Sequence, residues 1–515
     1  MIHAGRTVAG GVRRWGRRTL ALAFLGIAIT SIVLTGGPLA DPGTVVFWGL
    51  VGAGGWWLTR RWAAPPRARV RGPHGTPPPD QVCCGWGPDG WEVAPPQAAT
   101  LVLGPPRSGK TRGVLIPNVA AWAGPVLVTS TRRDVLDATR AARRLKGICW
   151  VFDPLGVVDP LPPTVYRLVW SPLHGGRDWD VARRRAAALA VDTGRGITDA
   201  THWRTRATQL LAVVLHAAAC GERDMATVCA WVHAQRAEPA QALATAPQAQ
   251  AVLAGLLRTP DRERGSIWSA AQGILAPFDT AQVCAAADAT PVVPFDPAVF
   301  LAGPHTVYVV SPSDAPTDGA PLVVGIVEEV REAARARSDA EGALPLPWLL
   351  ALDEAATICP LPAHPRLLAE GGGRNVVTLV ALQDLRQAAE RWGPATAQSF
   401  LTLAGTKVLL PGLADAETLA ALETLVGRTW VPQTTTSTSR SRPPGPWWRG
   451  DETTTQSTQH GWVEQPILPA SRWRTGPPGT AWVLTGADAP VRVTLIDPDT
   501  TPPFAAWLRP EPGRL

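Results

Sequence analysis

Residues 104–111, GPPRSGKT, have the types and spacing of a loop that binds nucleotide phosphates. Glycines at both ends let the backbone curl, so that successive N–H groups point at phosphate oxygens. We expect Lys110 to reach the β- and γ-phosphates, and the Thr111 hydroxyl to hold Mg²⁺. A chance glycine turn is the alternative, but an apolar strand precedes the loop and a helix follows it. The motif predicts an ATP site formed by Gly104, Pro105, Pro106, Arg107, Ser108, Gly109, Lys110 and Thr111.

A second candidate group lies at the end of an apolar run, residues 346–358, LPWLLALDEAATI. A buried strand that delivers Asp-Glu at its carboxyl end is what a Walker B element requires. We expect Asp353 to orient magnesium or its water shell, and Glu354 to polarise the attacking water. The alternative is a strand that simply stops at a solvated acidic turn.

A third strand is predicted in residues 375–385, NVVTLVALQDL, and it places Gln383 just past its end. An amide there can sense the γ-phosphate, although a polar residue that ends a strand has the same appearance. Because three strands end in groups suited to one reaction, the pattern favours ATP hydrolysis over nucleotide binding alone.

The formal net charge of +7 suggests a nucleic-acid partner until its location is considered. Residues 1–71 hold ten arginines and one acid, so this segment carries +9 and the remaining chain carries −2. The basic excess therefore gives no support for DNA binding by the body of the protein. Seven cysteines without regular spacing indicate a reducing compartment rather than a disulfide framework.

The basic N-terminal region contains two uncharged stretches, residues 19–40 and 42–59. The first exceeds the ~20 residues that span a bilayer, and the second is shorter and rich in glycine. Arginines lie before the first stretch and after the second, so the positive-inside rule predicts a membrane hairpin with both termini in the cytosol. A signal peptide is the competing interpretation. The chain is expected in the cytoplasmic membrane.

The rest of the chain reads as an α/β protein, with strands separated by helices, which predicts a mostly parallel sheet. Between residues 179 and 277 the pattern is helical only. After Val431 the chain is rich in Ser and Thr and is expected to be mobile. The predicted divisions are a basic N-terminus (1–18), a transmembrane hairpin (19–59), a Pro-rich linker (60–95), a nucleotide-binding domain (96–175 and 300–500), an inserted all-α domain (176–299) and a C-terminal tail (501–515).

These ordered pieces resemble the type IV coupling proteins, the TraG/TraD-like ATPases of conjugation and type IV secretion. Beyond the two Walker elements, the resemblance rests on FDPLG (152–156), the HWRTRATQLL helix and EGGGRNVVTLVALQDLRQ, which follow in family order. The family pattern Lys-Gly-Glu/Asp is replaced here at Arg132 and Arg133, which leaves the ATP site untouched.

The resemblance implies a RecA-like motor related to the FtsK/HerA translocases, which assembles as a homo-hexamer around DNA. It implies a relaxase-bound single strand as cargo, with relaxase and the channel of the secretion system as partners. Carried over by position, the P-loop, Asp353, Glu354 and Gln383 match the family's ATP site. Arg374 matches the Gly-Arg segment before the third strand and is either a subunit-bridging arginine or a surface arginine that caps a loop.

Three alternatives remain open at this point: an FtsK-type pump for double-stranded DNA, a secretion ATPase for proteins alone, and a receptor without hydrolysis. The lack of a recognisable winged helix in the short tail disfavours the first, and the intact Walker residues disfavour the third. Local DNA contacts are conceivable at residues 183–185 or 204–206, but such arginines are more often solvated helix faces. The helical insertion is expected to select cargo.

Overall fold

The computed structural model describes residues 75–508, except for 193–199, 289–290, 292, 294, 313–315 and 442–452. The membrane hairpin expected at residues 19–59 lies outside the described residues. Within the described part of the chain, no helix combines the length and the apolar character needed to cross a bilayer.

A twelve-stranded mixed sheet organises the protein. Apolar residues alternate between its faces: Leu101 and Leu103 pack into the core on one side, while Val102 packs into the core on the other. The strands are β1 (Cys83–Gly87), β2 (Gly90–Val93), β3 (Thr100–Leu103), β4 (Val126–Ser130), β5 (Cys149–Phe152), β6 (Tyr166–Arg167), β7 (Thr306–Val310), β8 (Trp348–Leu352), β9 (Val376–Leu382), β10 (Thr406–Leu409), β13 (Thr480–Thr485) and β14 (Val491–Thr494).

The order of strands is β2-β1-β14-β13-β10-β3-β9-β8-β4-β7-β5-β6. All pairs from β10 to β6 are parallel, and the four strands beyond β10 are antiparallel. The predicted α/β fold with a mostly parallel sheet is thus confirmed. Because β3, β9 and β8 are neighbours, the three predicted site segments leave the sheet at the same carboxyl edge.

Helices cover both faces, and eight of those described lie between β6 and β7. A π-helical turn (Thr111–Leu115) leads from the P-loop into the first α-helix. The helices are α1 (Ile116–Ala121), α2 (Asp134–Arg144), α3 (Trp179–Leu189), α4 (Ala200–Cys220), α5 (Met225–His233), α6 (Glu238–Leu243), α7 (Pro247–Leu257), α8 (Asp261–Leu275), α9 (Ala281–Asp288), α10 (Pro297–Ala302), α11 (Pro316–Glu341), α12 (Ala355–Ile358), α13 (His364–Glu370), α14 (Leu385–Trp392), α15 (Pro394–Leu403), α16 (Ala416–Val426), α17 (Ala470–Arg474) and α18 (Phe504–Trp507).

Part of the segment expected to be a linker is folded onto the sheet. β1 and β2 lie within the range 60–95 and pair with β14 and with each other. The buried amide side chain of Asn118 in α1 fixes β1, since it accepts from the backbone N–H of Cys83 and donates to the carbonyl of Cys83. In the expected tail, Phe504 is buried and its ring packs edge-on against Trp91. These segments therefore extend the core.

The Ser/Thr-rich stretch after Val431, for which the composition predicts mobility, has regular backbone structure. Strands β11 (Arg428–Ser441) and β12 (Thr453–Pro466) pair antiparallel along their full length and form a separate two-stranded sheet. β-Branched threonine favours extended backbone, and cross-strand hydroxyl pairs support the ribbon. We call this element the hairpin arm.

Arg143 at the end of α2 fixes the amino edge of the sheet. Its guanidinium is fully buried and donates to the Thr306 hydroxyl at 2.7 Å. It also donates to the backbone carbonyls of Trp122, Gly124 and Pro304. Burial lowers the pKa of Arg143, and these carbonyl acceptors replace the water that the cation has lost.

Candidate functional site

The P-loop folds as a cradle whose shape depends on small residues. Gly109 has φ +106°, a conformation that a side chain would strain. A Cβ at Gly104 would approach the Ser108 hydroxyl to 2.7 Å and Leu410 Cβ to 2.8 Å. The ammonium of Lys110 donates to the Gly104 and Pro105 carbonyls at 2.6 and 3.1 Å. The loop thus folds around its own lysine.

Asp353 lies at the carboxyl end of β8 and meets the P-loop. Its Oδ2 accepts from the Thr111 hydroxyl at 2.6 Å. The Thr129 hydroxyl at the end of β4 donates to the Asp353 carbonyl at 3.1 Å and fixes the backbone there. Two residues 242 positions apart in the sequence are therefore joined because β8 and β3 end at the same edge.

Glu354, the next residue, has left-handed backbone angles, φ 48° and ψ 43°. Such angles are uncommon for a side chain larger than glycine and cost free energy that the surrounding fold must supply. The turn directs the Glu354 carboxylate toward the P-loop, and its Oε1 lies 4.0 Å from the Lys110 ammonium. The strained turn therefore places the second carboxylate at the loop.

Gln383, just beyond β9, contacts the same carboxylate. Its Nε2 donates to Glu354 Oε2 at 3.1 Å. The backbone N–H of Gln383 donates in turn to the side chain of Gln387 at 3.2 Å. The side chains predicted to act together, Lys110, Thr111, Asp353, Glu354 and Gln383, lie in one connected cluster.

Burial sets the electrostatics of this cluster. It raises the pKa of Asp353 to about 6, and the hydrogen bond from Thr111 opposes the rise. Burial also lowers the pKa of Lys110, while the negative charges of Glu354, Asp353 and Asp384 oppose that change. The charges of the lysine and the carboxylates therefore compensate each other in a largely buried site.

The donor set fits a magnesium ion. Asp353 Oδ1 is buried without a hydrogen-bond partner, next to the Thr111 hydroxyl. Carboxylate and hydroxyl oxygens are the ligands that Mg²⁺ takes beside the phosphates of a bound nucleotide. Among the described residues there is no group of three or more His, Cys, Asp or Glu side chains that could hold a metal alone. The site suits a metal that arrives with phosphates.

Arg374 is not brought to this cluster. It ends a 3₁₀ turn (Gly372–Arg374) before β9, at the amino edge of the sheet, where it pairs with Asp339 of α11 at 2.5 Å. The seven residues of β9 put it roughly 24 Å from the loops at the carboxyl edge. Within one chain, Arg374 therefore has the position of a surface arginine. A subunit-bridging role would require the ATP site of a second subunit.

The arginines that were candidate DNA contacts have mixed surroundings. Arg185 is buried, pairs with Glu329 at 2.7 Å and lies over the Trp170 ring at 5.6 Å. It thereby joins α3 to α11. Arg183 is exposed and pairs with Asp180 one turn earlier, and Arg206 donates to Thr259. Arg185 is thus structural, Arg183 lies on a solvated helix face, and Arg206 is half-buried where α4 meets the turn after α7.

Two contributors to the site carried no clear sequence signal. Gln387 orients Gln383 and donates to Thr357 at 3.2 Å, and the only sequence hint was that Gln387 follows Gln383 by four residues, in the first turn of the next helix. Arg112, next to Thr111, pairs with Asp497 and Asp499 of the C-terminal segment at 2.9 and 2.5 Å. That segment lies against the P-loop, since Leu495 contacts the position of Gly113.

The family follows from the whole arrangement. Residues 68–460 match the family model described as type IV secretory system conjugative DNA transfer. The match covers more than half of the chain, so the chain belongs to this family, and the resemblance noted from its motifs is confirmed. None of the curated proteins matches it.

Solved structures resemble the fold at low sequence identity. The unbound bacterial conjugative coupling protein TrwBΔN70 is 17% identical with a TM-score of 0.59, over 82% of this chain and 90% of that one. TrwB with the ATP analogue ADPNP is 15% identical, with a TM-score of 0.56 over 78% and 86%. TrwB with ADP and Mg²⁺ is 17% identical, with a TM-score of 0.56 over 78% and 85%. This likeness establishes the fold.

Proposed function

We propose that this chain binds ATP with Mg²⁺ and hydrolyses the γ-phosphate. The observation that carries the proposal is the cluster at the carboxyl edge, where Thr111 contacts Asp353 and Gln383 contacts Glu354. The P-loop N–H groups and Lys110 bind phosphates, and Thr111 and Asp353 hold the metal. Bound magnesium supplies positive charge that offsets the charge developing on the phosphates. The coordinates of TrwB with ADP and Mg²⁺ support the pairing of a nucleotide and a metal in this fold.

In this mechanism Glu354 accepts a proton from the attacking water, and Gln383 holds the Glu354 carboxylate toward the γ-phosphate position. Lys110 is buried, so its charge is screened little by solvent and acts strongly on the phosphates. When the γ-phosphate leaves, the groups that faced it can change partners. Gln383 is the element that can transmit this change to β9 and α14.

Family membership supports a role in DNA transfer by a type IV secretion system. We propose that ATP is used to move a relaxase-bound single strand of DNA toward the secretion channel. In this proposal, residues 19–59 anchor the chain in the cytoplasmic membrane with both termini in the cytosol, and six copies form a ring around the DNA. Relaxase and the channel components are the expected protein partners.

The ring gives Arg374 a second possible role. Its amino-edge position excludes contact with the ATP site of its own chain. In a ring, that edge can face the ATP site of a neighbour, where the guanidinium would stabilise the transferring phosphoryl group. Asp339 is the partner that Arg374 would have to leave.

The helical lobe between β6 and β7 lies outside the ATP cluster, and we propose that it selects cargo. P-loop chemistry requires no such insertion, and α3 joins the lobe to the core through Arg185 and Glu329. Replacing the lobe with that of a relative should change which substrate is transferred while ATP turnover stays similar. If the chimera keeps its original cargo, selection lies elsewhere.

ATP turnover by the purified full chain, with and without DNA, tests the proposed function. We expect magnesium-dependent hydrolysis that single-stranded DNA stimulates. No hydrolysis under any condition would identify a receptor that serves another motor. Stimulation by duplex DNA alone would indicate a double-strand pump, and stimulation by protein substrates alone would indicate protein secretion.

A further inference from the structure

The hairpin arm is an extended and exposed surface. Both strands have 14 residues, which corresponds to a ribbon roughly 45 Å long. Every described side chain from Arg428 to Ser441 is exposed, as are those from Thr454 to Gln465. A two-stranded ribbon is only marginally stable alone in water, so a ribbon of this length is suited to gain order from what it binds.

The two faces of the arm differ. Opposite residues in an antiparallel pair share a face, so the pairs Trp430–Glu464 and Pro432–Trp462 put both tryptophans on one side. Their side chains are 63% and 67% exposed, which is unusual for the largest apolar residue. The register makes them diagonal neighbours. One face therefore presents two indole rings on adjacent cross-strand pairs of that face.

Cations accompany the tryptophans on that face. The register places Arg428, His460 and Arg440 on the same side as Trp430. Arg428 is held by Glu464 at 3.4 Å, and His460 shares a hydrogen bond with Thr434 at 2.9 Å. Glu464 is the one acidic residue in the two strands. The face is thus aromatic and weakly cationic.

The opposite face is uncharged, with Val431 paired to Val463 and short polar residues beyond them. More than half of the residues in the two strands are Ser, Thr or Gln. Hydroxyl and amide groups contact nucleic-acid phosphates and sugars, whereas the cores of protein interfaces are depleted in Ser. Exposed tryptophans provide surfaces on which unpaired bases stack. The composition favours nucleic acid over a second copy of the chain.

We propose that the hairpin arm binds single-stranded DNA, with bases stacked on Trp430 and Trp462 and the backbone near Arg440. This inference rests on the proposed DNA-transfer function and names the surface that contacts the strand. Stacking requires unpaired bases and does not depend on their identity, so the arm holds DNA without reading its sequence. Such contacts suit a motor that must pass any sequence.

The base of the arm is fastened to the ATP site through α16. Ile467 after β12 donates to the Gly427 carbonyl before β11 at 3.1 Å, and the N–H of Ala470 donates to the Glu423 carboxylate. At the other end of α16, the Thr418 hydroxyl accepts from the N–H of Leu385 at 3.0 Å. Leu385 lies two residues beyond Gln383. A change at the γ-phosphate therefore has a short, hydrogen-bonded route to the arm.

The test uses the full chain and a fluorescein-labelled oligothymidylate, with binding followed by fluorescence anisotropy. Replacing both tryptophans, Trp430→Ala with Trp462→Ala, should weaken binding by at least about tenfold. The matched control is Val431→Ala with Val463→Ala, an adjacent cross-strand pair on the opposite face, which should bind as the wild type does. A labelled duplex should lose little affinity in either variant, and ATP turnover without DNA should stay unchanged in both.

Equal oligothymidylate affinity in the tryptophan variant and the wild type would overturn the inference and leave the proposed function intact. Absence of binding by the wild-type chain would overturn both. Sedimentation of each variant tests the alternative occupant of this face, a second copy of the chain. If the tryptophan changes break an assembly that the wild type forms, the face is a contact between copies, and the inference is wrong.

Discussion

The side-chain amide of Gln383 donates to the carboxylate of Glu354 at 3.1 Å, and this contact joins the ends of two neighbouring strands at the candidate ATP site. Glu354 carries backbone strain at the end of β8, while Gln383 begins the route toward α14 and α16. Glu354, the residue proposed to take the proton, is thus in direct contact with Gln383, the residue proposed to transmit the departure of the γ-phosphate.

Replacing Lys110 by Ala should reduce ATP turnover by at least about a hundredfold, because a buried cation that faces the phosphates is lost. Turnover by the purified variant measures the effect. Lys146→Ala is the matched control, since Lys146 donates to the carbonyls of Ala120 and Trp122 and lies outside the cluster. Wild-type turnover in Lys110→Ala would contradict the assignment of the P-loop.

Glu354→Gln should bind ATP with near-normal affinity and hydrolyse it roughly a hundredfold or more slowly, since an amide cannot accept the proton. A fluorescent ATP analogue measures affinity, and phosphate release measures turnover. Glu390→Gln makes the same change on the exposed face of α14 and should have little effect. Normal turnover in Glu354→Gln would assign the base elsewhere.

Thr418→Val removes the hydroxyl that accepts from Leu385 and should uncouple the arm from the nucleotide. In the wild type, oligothymidylate affinity should differ between ADP and a non-hydrolysable ATP analogue, and the variant should show a smaller difference. Thr424→Val is the control on the same helix, where an exposed threonine bonds only its own helix at Ala420. Equal nucleotide dependence in both variants would exclude this route.

His364 should make the fold sensitive to acid. Burial between Trp392 and Phe400 lowers the pKa of His364 to about 3, below the value of about 6.5 for an unfolded chain. The unfolded chain therefore binds more protons between these values, and stability falls as pH falls below about 6.5. From pH 7 to pH 5 this group alone should cost about 2 kcal/mol.

Thermal unfolding at several pH values measures this loss. His364→Phe, which cannot take a proton, should lose less stability than the wild type over the same range. The quantity to compare is the change of stability with pH, because the phenylalanine ring also changes packing and so shifts stability at every pH. Identical slopes would mean that another group controls acid unfolding.

Topology is testable with reporters and cysteine labelling. A reporter fused after Arg71 should read as cytosolic, and a cysteine placed near Pro42 should react with a reagent that does not cross the membrane. Both outcomes follow from the arginines that flank the two uncharged stretches. Cleavage after Ala40 would replace the hairpin with a signal sequence.

The sequence predicted the parallel strands and the P-loop well because their signals are local. The apolar runs within residues 346–358 and 375–385 contain β8 and β9. The contacts of Arg112 with Asp497 and Asp499 depend on which distant segments the fold brings together, and no local pattern encodes them. The Ser/Thr-rich composition of the hairpin arm predicts mobility, although runs of threonine are themselves a strand signal.

The helical lobe has a further consequence for how such chains diversify. β6 and β7 flank β5 and run parallel, so the chain must cross from the carboxyl edge to the amino edge between them, whatever lies on the way. The lobe is an enlarged version of this obligatory crossover, so a longer lobe leaves the order and direction of the strands unchanged. Evolution can lengthen or trim the helices beyond α3 while the Arg185–Glu329 pair keeps the junction in place. Related chains that share the nucleotide-binding core can therefore carry different helical lobes.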